Sequence, residues 1–105
     1  MLAIIGGTGL TELDGLTLTD EKIVSTPYGD CSAPVQIGEF GGTQVAFLAR
    51  HGKGHTITPH TINYRANIWA LRELGVKSII AVNAVGSIRQ NYGTESLVIP
   101  HQLID

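Results

Sequence analysis

The chain has 105 residues, of which 43% are hydrophobic and 15% are charged, a composition typical of a globular domain with an ordinary core. Its formal net charge of −2 excludes strong bulk attraction to nucleic acid or to an anionic membrane surface. The single cysteine, Cys31, cannot form an internal disulfide, and no apolar window approaches the length of a membrane span. We therefore expect a cytoplasmic protein with no nucleic acid and no membrane among its partners.

The first predicted element is a short apolar run at residues 2–5, which ends at Gly6-Gly7. A continuous apolar run that stops at glycines predicts a buried strand, and such strands often pair in parallel. Residues 11–34 are rich in Thr, Asp, Gly and Pro, so they predict loops with one short edge strand. Residues 26–29 have the composition of a tight turn, because Pro27 presets its own φ and a glycine closes the bend.

Residues 35–40 alternate between apolar and polar side chains, Gly41-Gly42 follows, and residues 43–49 resume as a strand. Alternation of apolar and polar side chains predicts half-buried strands, and two glycines allow a positive φ at both positions of a short turn. The two stretches are therefore predicted to form a β-hairpin.

Residues 62–74 carry apolar side chains at helical spacing, with Thr61 placed to cap the amino end and Gly75 to cap the carboxyl end. Residues 76–82, which are almost continuously apolar after Lys77, predict a buried strand, and residues 97–99 predict a further one. Strand, helix and strand in this order form a βαβ unit, so the predicted fold class is α/β. A parallel sheet needs helices on both faces and only one convincing helix is predicted, so we expect the first part of a larger fold, or a chain that acts with another chain.

Charge is spread unevenly, because residues 1–49 carry one base against six acids and residues 50–105 carry six bases against three acids. The positive excess begins in the run Arg50-His51-Gly52-Lys53-Gly54-His55, directly after a predicted strand. Arginine offers a charged fork of donors that matches phosphate or carboxylate, and glycines let a ligand approach the backbone. The run therefore predicts a site for a small oxyanion. The structural alternatives are a salt bridge from Arg50 and a strand-end cap from His51.

The histidines of this region also invite comparison with a zinc site. His51 and His55 would share a face only on a helix, and Gly52 and Gly54 disfavour a helix there. His60 follows, but no carboxylate within the segment completes a ligand set. No metal site is therefore predicted.

Two further glycine-containing loops follow predicted strands. Gly6-Gly7-Thr8-Gly9 can form a backbone anion nest with a hydroxyl donor from Thr8, and the alternative is a plain tight turn. It lacks the third glycine of a dinucleotide fingerprint and the Gly-Lys-Ser/Thr sequence of a P-loop. Asn83-Ala84 stands where parallel sheets place ligands, with a demanding strand-to-loop turn as its alternative. If these loops and Arg50-His51 share one sheet edge, their donors converge on one anion.

In combination, these motifs resemble the N-terminal part of the 5′-methylthioadenosine / S-methyl-5′-thioinosine phosphorylases, in the trimeric purine nucleoside phosphorylase superfamily. The resemblance covers nearly the whole chain and is carried by Ile4-Ile5-Gly6-Gly7-Thr8-Gly9-Leu10, Thr26-Pro27-Tyr28-Gly29, Leu48-Ala49-Arg50-His51-Gly52 with His55, Asn63-Tyr64-Arg65-Ala66-Asn67-Ile68-Trp69-Ala70-Leu71, and Gly86-Ser87. Asn83 and residues 100–105 resemble the methylthioinosine branch most, since the adenosine branch tends to have Thr at the position of Asn83.

The resemblance implies a mixed, largely parallel central sheet flanked by helices, with residues 1–105 forming the N-terminal part of a single phosphorylase domain. It implies phosphate contacts from residues on all three loops: Thr8, Arg50, His51, Asn83 and Ala84. His55 would lie nearer the rim of the substrate pocket, and no catalytic residue is assigned in this segment. A homo-oligomer, which is a trimer in the family, is implied as well.

The activity implied by the resemblance is that of a pentosyltransferase, a glycosyltransferase of purine salvage. It is phosphorolysis of a purine (5′-methylthio)nucleoside to the free purine and (5-methylthio)ribose 1-phosphate. Family members need no metal or organic cofactor, and inorganic phosphate is a co-substrate. Their later part, beyond the position of Asp105, carries the purine-binding residues. The competing interpretations are a non-catalytic phosphate or nucleotide binder without that purine-binding half and, with least support, an interaction module that uses the helix of Trp69.

Overall fold

The computed structural model describes residues 1–7, 10, 12–54, 56–84 and 96–100. Its strands form one sheet, made of β1 (Leu2–Gly6), β2 (Thr17–Lys22), β3 (Val35–Phe40), β4 (Thr43–Ala49) and β5 (Ser78–Val82). Across the sheet the order is β2-β3-β4-β1-β5. β1 pairs in parallel with both β4 and β5, whereas β3 pairs antiparallel with β2 and β4. With the helix α1 (Tyr64–Glu73), this mixed sheet confirms the predicted α/β class.

The predicted β-hairpin is confirmed. β3 and β4 pair antiparallel on either side of Gly41 and Gly42, with Phe40 opposite Thr43. The two glycines have φ of 60° and 81°. A turn with positive φ at both central residues matches the twist of the strands that it joins, and glycine adopts that φ without a steric cost.

The predicted short edge strand between residues 11 and 34 is also confirmed, as β2. All six of its residues are exposed, since β2 lies at one edge of the sheet. The carboxylate of Asp20 and the ammonium of Lys22 lie 3.0 Å apart on it. Charged side chains on an edge strand oppose pairing with the edge of another sheet.

The core lies between one face of the sheet and α1. Leu71 of α1 is fully buried there, against alternate residues of three strands. These strand residues are Ala3, Ile5, Val35, Ile37, Ala46 and Leu48. The period of two puts them on one face of the sheet, and full burial of a Leu or Ile side chain contributes about 1.5–3 kcal/mol. α1 therefore fixes the connection between β4 and β5 on that face.

The amino end of α1 differs from the prediction. The helix begins at Tyr64, and its N-cap is Asn63, whose side chain accepts a hydrogen bond from the N–H of Ala66 at 3.1 Å. Thr61, the predicted cap, ends a separate 3-10 turn at Pro59–Thr61, and its hydroxyl bonds within that turn. The predicted cap is wrong because Pro59 begins this extra turn ahead of the helix.

The carboxyl end of α1 closes at Gly75, as predicted. The N–H of Gly75 donates to the carbonyl of Arg72 and the N–H of Val76 donates to that of Leu71, each at 3.0 Å. Gly75 has a φ of 88°. These two bonds form a Schellman motif, which satisfies the last carbonyls of the helix and turns the chain towards β5.

The first half of α1 also holds the loop at residues 26–32. That loop contains the predicted tight turn, where the N–H of Gly29 donates to the carbonyl of Thr26 at 3.3 Å. Asn67 is buried and bonds Ser32 twice, accepting from its N–H at 2.9 Å and donating to its hydroxyl at 3.0 Å. An amide with both ends bonded is a satisfied buried polar group, so it orders the loop against the helix.

Two predictions about the second half of the chain are wrong. β5 is exposed along its whole length, with Ile80 at 52%, although its apolar sequence predicts burial. β5 lies at an edge of the sheet, so β1 is its one strand neighbour among the described residues. Residues 97–99 form no strand, and Leu97 and Ile99 are 89% and 88% exposed. An apolar run becomes a strand only when a neighbour accepts its ladder bonds, and no described segment does so here.

Candidate functional site

Three strands of the parallel half end at the same level of one sheet edge. Gly6, the last residue of β1, lies opposite Ala49 at the end of β4 and opposite Val82 at the end of β5. Because parallel strands point the same way, the segments that follow all three emerge at this edge. We call it the carboxyl edge. The shared edge that the sequence analysis required for Arg50-His51 and Asn83-Ala84 is therefore present.

Arg50 links the three strand ends. Its backbone N–H donates to the carbonyl of Gly6 at 2.9 Å, which extends the pairing of β4 and β1 by one bond. Its guanidinium reaches across to β5, where Nη1 lies 3.5 Å from the carbonyl oxygen of Val82. No described carboxylate pairs with Arg50, so the salt-bridge alternative finds no support in the described residues. Arg50 is half-buried, and within the described ranges its guanidinium makes one long bond to a carbonyl, which engages one of its five donors.

Gly7 makes room for this guanidinium. A Cβ on Gly7 would lie 3.0 Å from Cζ of Arg50 and 2.6 Å from the carbonyl oxygen of Val82. Contacts that short are repulsive, and the backbone carbonyl cannot move away as a flexible side chain can. The absence of a side chain at Gly7 is therefore what lets Arg50 cross from β4 to β5.

His51 is 7% exposed and is held by a short loop that closes on itself. Nδ1 of its ring lies 2.8 Å from the carbonyl oxygen of Ile57, and its own carbonyl accepts the N–H of Ile57 at 2.9 Å. Gly52 allows the loop to start, with a φ of 83° and an N–H that donates to the carbonyl of Ala49 at 3.1 Å. The imidazole is thus fixed in orientation by Ile57.

The remaining predicted residues divide into two groups. Asn83 and Ala84 follow β5 at the carboxyl edge and are exposed. Thr8 and His55 lie outside the described residues, so the structure assigns them no place. Within the described ranges, no three side chains of His, Cys, Asp or Glu lie close enough to hold a metal ion.

The carboxyl edge thus combines a permanent cation at Arg50 with a fixed imidazole at His51 and the exposed residues Asn83 and Ala84 after β5. Donors of this kind suit a small oxyanion, because charged donors make the stronger hydrogen bonds to anionic oxygens. Residues 1–105 match one sequence family, described as the phosphorylase superfamily. The chain belongs to the phosphorylase superfamily.

Relatives of this superfamily member match along almost its whole length. It is 53% identical to a protein named "Probable S-methyl-5'-thioinosine phosphorylase" from Pseudomonas syringae pv. tomato, over 98% of this chain and 42% of the relative. It is 56% identical to an "S-methyl-5'-thioadenosine phosphorylase" from Hyperthermus butylicus, over 99% of this chain and 38% of the relative. The chain therefore spans about two fifths of the length of these curated relatives, and relatives of both branches match at similar identity.

A solved structure agrees with the fold of this superfamily member. The methylthioadenosine phosphorylase from Schistosoma mansoni in complex with tubercidin superposes with a TM-score of 0.82 and 41% sequence identity. The match covers 87% of this chain and 33% of the Schistosoma chain. The observed sheet with its helix is therefore the N-terminal portion of that fold.

The sequence of this phosphorylase-superfamily chain does not reveal the role of Gly7 beside Arg50 or the roles of two backbone carbonyls of the site. The pair Gly6-Gly7 signals a close approach, but the sequence does not say that a guanidinium makes it. The carbonyls of Val82 and Ile57 carry no signal in the sequence, because every residue has a carbonyl and only the fold selects which one meets Arg50 or His51.

No described helix is long and apolar enough to cross a membrane.

Proposed function

We propose that the protein carries out phosphorolysis of a purine 5′-methylthio nucleoside, with inorganic phosphate bound at the carboxyl edge. The products would be the free purine and 5-methylthioribose 1-phosphate, which makes the protein a pentosyltransferase. The observation that carries the proposal is the position of Arg50, which joins the ends of β4, β1 and β5 without a described carboxylate partner. The reaction is taken from the names of the relatives, which are methylthioinosine and methylthioadenosine phosphorylases.

The proposed phosphate site draws on all three loops. Arg50 would bind the phosphate through its guanidinium and His51 through its ring. Ala84 would offer its backbone N–H beside Asn83, and Thr8 would add a hydroxyl. His55 is proposed at the rim of the substrate pocket. The purine-binding residues are proposed to lie in the later part of a phosphorylase domain whose first part is residues 1–105.

The chemistry of nucleoside cleavage suits such a site. A ribosyl group that leaves a purine develops oxocarbenium character, as in glycoside cleavage. Phosphate is already a competent nucleophile, so the enzyme mainly positions it, excludes water and lets its negative charge face the developing cation. Hydrogen bonds to charged groups contribute about 1.5–3 kcal/mol each, so Arg50 would carry a large share of phosphate affinity. We propose phosphate as co-substrate and no metal or organic cofactor.

The finer parts of the proposal come from the resemblance. We propose methylthioinosine as the first substrate to test, because Asn83 stands where the adenosine branch tends to have Thr. We also propose a cytoplasmic homo-oligomer, a trimer as in the family.

The decisive experiment measures purine release from methylthioinosine by the full polypeptide that carries this sequence, with and without inorganic phosphate. We expect release that depends on phosphate, together with formation of a 5-methylthioribose phosphate. Equal release in both conditions would indicate a hydrolase and would overturn the role proposed for the anion site. Phosphate binding without release from any purine nucleoside would instead indicate the non-catalytic phosphate binder.

A further inference from the structure

We propose that the outer face of α1 docks onto a second copy of this protein, and that the surface it meets there is the acidic edge of the sheet around β2. The proposal rests on the proposed function for the homo-oligomer alone, because it names the two surfaces that would join the copies. The docking face is an open groove of about 440 Å3 between α1 and the turn at residues 26–29. We call it the α1 groove, and its lining residues are Tyr28, Tyr64, Arg65, Ile68, Trp69 and Arg72.

The α1 groove is apolar where the outer face of a surface helix is normally polar. The inner face of α1 buries Ala66, Asn67, Ala70 and Leu71. On the outer face Ile68 and Tyr64 are about half exposed, and Tyr28 from the turn is exposed to the same extent beside them. A contiguous exposed patch of large apolar side chains marks an interaction surface, and aromatic residues and arginine are enriched in such surfaces.

The wall of the groove is fixed before any partner binds. Nδ2 of Asn63, the N-cap of α1, donates to the carbonyl of Tyr28 at 2.7 Å. The N–H of Tyr28 donates to the hydroxyl oxygen of Thr26 at 3.1 Å. Side-chain and loop ordering are part of the free-energy cost of association, so a surface that is ordered in advance binds at a lower cost.

The charges of the groove determine what kind of surface can cover it. Arg65 and Arg72 are exposed and lie seven residues apart, which is about 10 Å along the helix axis. Among the described residues the one ion pair joins Asp20 and Lys22, so neither arginine of the groove has a described carboxylate partner. Two grooves packed face to face would set these arginines against those of the other copy, and like charges across an interface oppose binding. The groove therefore needs a different, acidic surface.

The same chain offers such a surface at the β2 side of the sheet. Five exposed acids lie on β2, on β3 beside it and on the segment that leads into β2. We call this surface the acidic edge, and its acids are Glu12, Asp14, Asp20, Glu21 and Glu39. Lys22 is the one base among residues 1–49. The large side chains of Leu18 and Phe40 are exposed there as well, at 52% and 39%. The acidic edge thus matches the α1 groove in charge and in apolar surface.

Two different surfaces that fit each other form a heterologous interface. Copies joined in this way add head to tail, and they close into a ring when the rotation between them allows it. A cyclic trimer, as proposed above for this protein, can be built only from such an interface, because an interface of one patch with itself joins two copies and stops.

The first test measures the mass of the full polypeptide in solution over a concentration series, by sedimentation or light scattering. We expect an oligomer in the wild type. Arg65→Glu reverses a charge of the groove, and Ile68→Glu places a charge in its apolar centre. Each should raise the dissociation constant of the oligomer at least about tenfold. The test reverses a charge because removing a single rim charge changes affinity little.

Each groove variant has a matched control outside the groove. Lys77→Glu makes the same reversal of charge as Arg65→Glu at another exposed position. Ile23→Glu makes the same substitution as Ile68→Glu at a side chain that is 87% exposed. Neither control should change the dissociation constant. Loss of the oligomer in the controls to the same extent as in the groove variants would contradict the proposal.

The second test identifies the acidic edge as the partner surface. In the Arg65→Glu background, each acid of the acidic edge is changed to Lys, one at a time. At least one of these double variants should recover the oligomer, because the reversed pair again has opposite charges. Glu73→Lys is the control, since Glu73 is an exposed acid of α1 outside the groove, and it should recover nothing. Recovery in none of the double variants would overturn the assignment of the acidic edge.

The outcomes also separate this proposal from the proposed function. A monomeric wild type that still requires phosphate for purine release would overturn the interface and leave the proposed reaction standing. An oligomer that the groove variants dissociate, with no phosphate requirement, would overturn the reaction and leave the interface standing. Groove variants that keep the mass of the wild type but melt at a lower temperature would show that the groove is covered within one copy, which would overturn the proposal.

Discussion

The two halves of the sheet share β4 but place their loops differently. In the parallel half, β4, β1 and β5 all end at the carboxyl edge, so the segments after them meet at one place. In the antiparallel half, β2, β3 and β4 reverse direction at each step, so successive connections lie at opposite ends. Donors that follow neighbouring strands can therefore gather in the parallel half, whereas β3 separates the ends of β2 and β4 in the antiparallel half. The antiparallel half contributes residues of β3 to the core, and β3 pairs with the edge of β4 that faces away from β1.

The largest expected effect lies at Arg50. We expect Arg50→Ala to raise the KM for phosphate about ten- to hundredfold, because charged hydrogen bonds to the anion are lost. Stability should change by less than about 1 kcal/mol, since among the described residues the side chain makes one long bond to a carbonyl. Steady-state kinetics at saturating nucleoside and a melting curve measure the two effects. Arg72→Ala removes the same charge from an exposed position of α1 and should leave the KM unchanged. An unchanged KM in folded Arg50→Ala would move Arg50 to a structural role.

A somewhat smaller effect is expected at Gly7. Gly7→Ala places a methyl group between Arg50 and the carbonyl of Val82, so the guanidinium must leave its position. We expect the KM for phosphate to rise about tenfold and the free energy of unfolding to fall by about 1–3 kcal/mol.

The control for Gly7 comes from the other half of the sheet. A Cβ on Gly38 would lie 2.8 Å from the carbonyl carbon of Thr17, so Gly38→Ala creates a comparable backbone clash between β3 and β2. It should lower the free energy of unfolding without changing the KM for phosphate. An equal rise in KM in both variants would show that the two halves do not differ as described.

The hairpin turn should show an effect on stability alone. Gly42 has a φ of 81° and open space around it, so Gly42→Ala meets no clash but must adopt a left-handed conformation. That costs about 1–2 kcal/mol. Gly42→Asn should lose less, because Asn tolerates this conformation better than Ala does. Chemical denaturation of the three proteins measures the series, and an Ala variant as stable as the wild type would contradict it.

The smallest effect is expected at the ion pair of β2. The pKa of Asp20 is below its usual value because Lys22 and the N–H of Glu21 both donate to its carboxylate, and the Lys22 bond contributes more. A lowered pKa stabilises the folded state at neutral pH, and that contribution is lost as pH falls through the folded-state pKa. Because both side chains are exposed, Asp20→Asn should change the melting temperature little at neutral pH, with no difference left at strongly acidic pH. A difference that grew in acid would contradict this sign.

Much of the fold could be predicted from the sequence, because local patterns decide it. The alternation before Gly41-Gly42 and the apolar strand-like run after it indicate the hairpin, and the position of Gly75 indicates the end of α1. The errors at Thr61 and β5 share a cause, which is that a local pattern does not show what surrounds a residue in the fold. Thr61 is a good capping residue in isolation, but Pro59 starts a turn that engages it. The apolar sequence of β5 does not reveal that the strand lies at an edge of the sheet.

For the site, the sequence predicts the types of residue that bind an anion but not the contacts that position them. Arginine, histidine and glycines after predicted strands indicate an anion site, since few other chemistries need that combination. The parallel register of the strands brings Arg50 across Gly7 to Val82. The path of the loop after β4 brings Ile57 to His51 and so orients the ring. Side-chain chemistry and periodicity are local properties, so a linear string of residues contains them. Neighbours across a sheet are chosen by packing over the whole domain, and so the partners of Arg50 and His51 could emerge only from the folded chain.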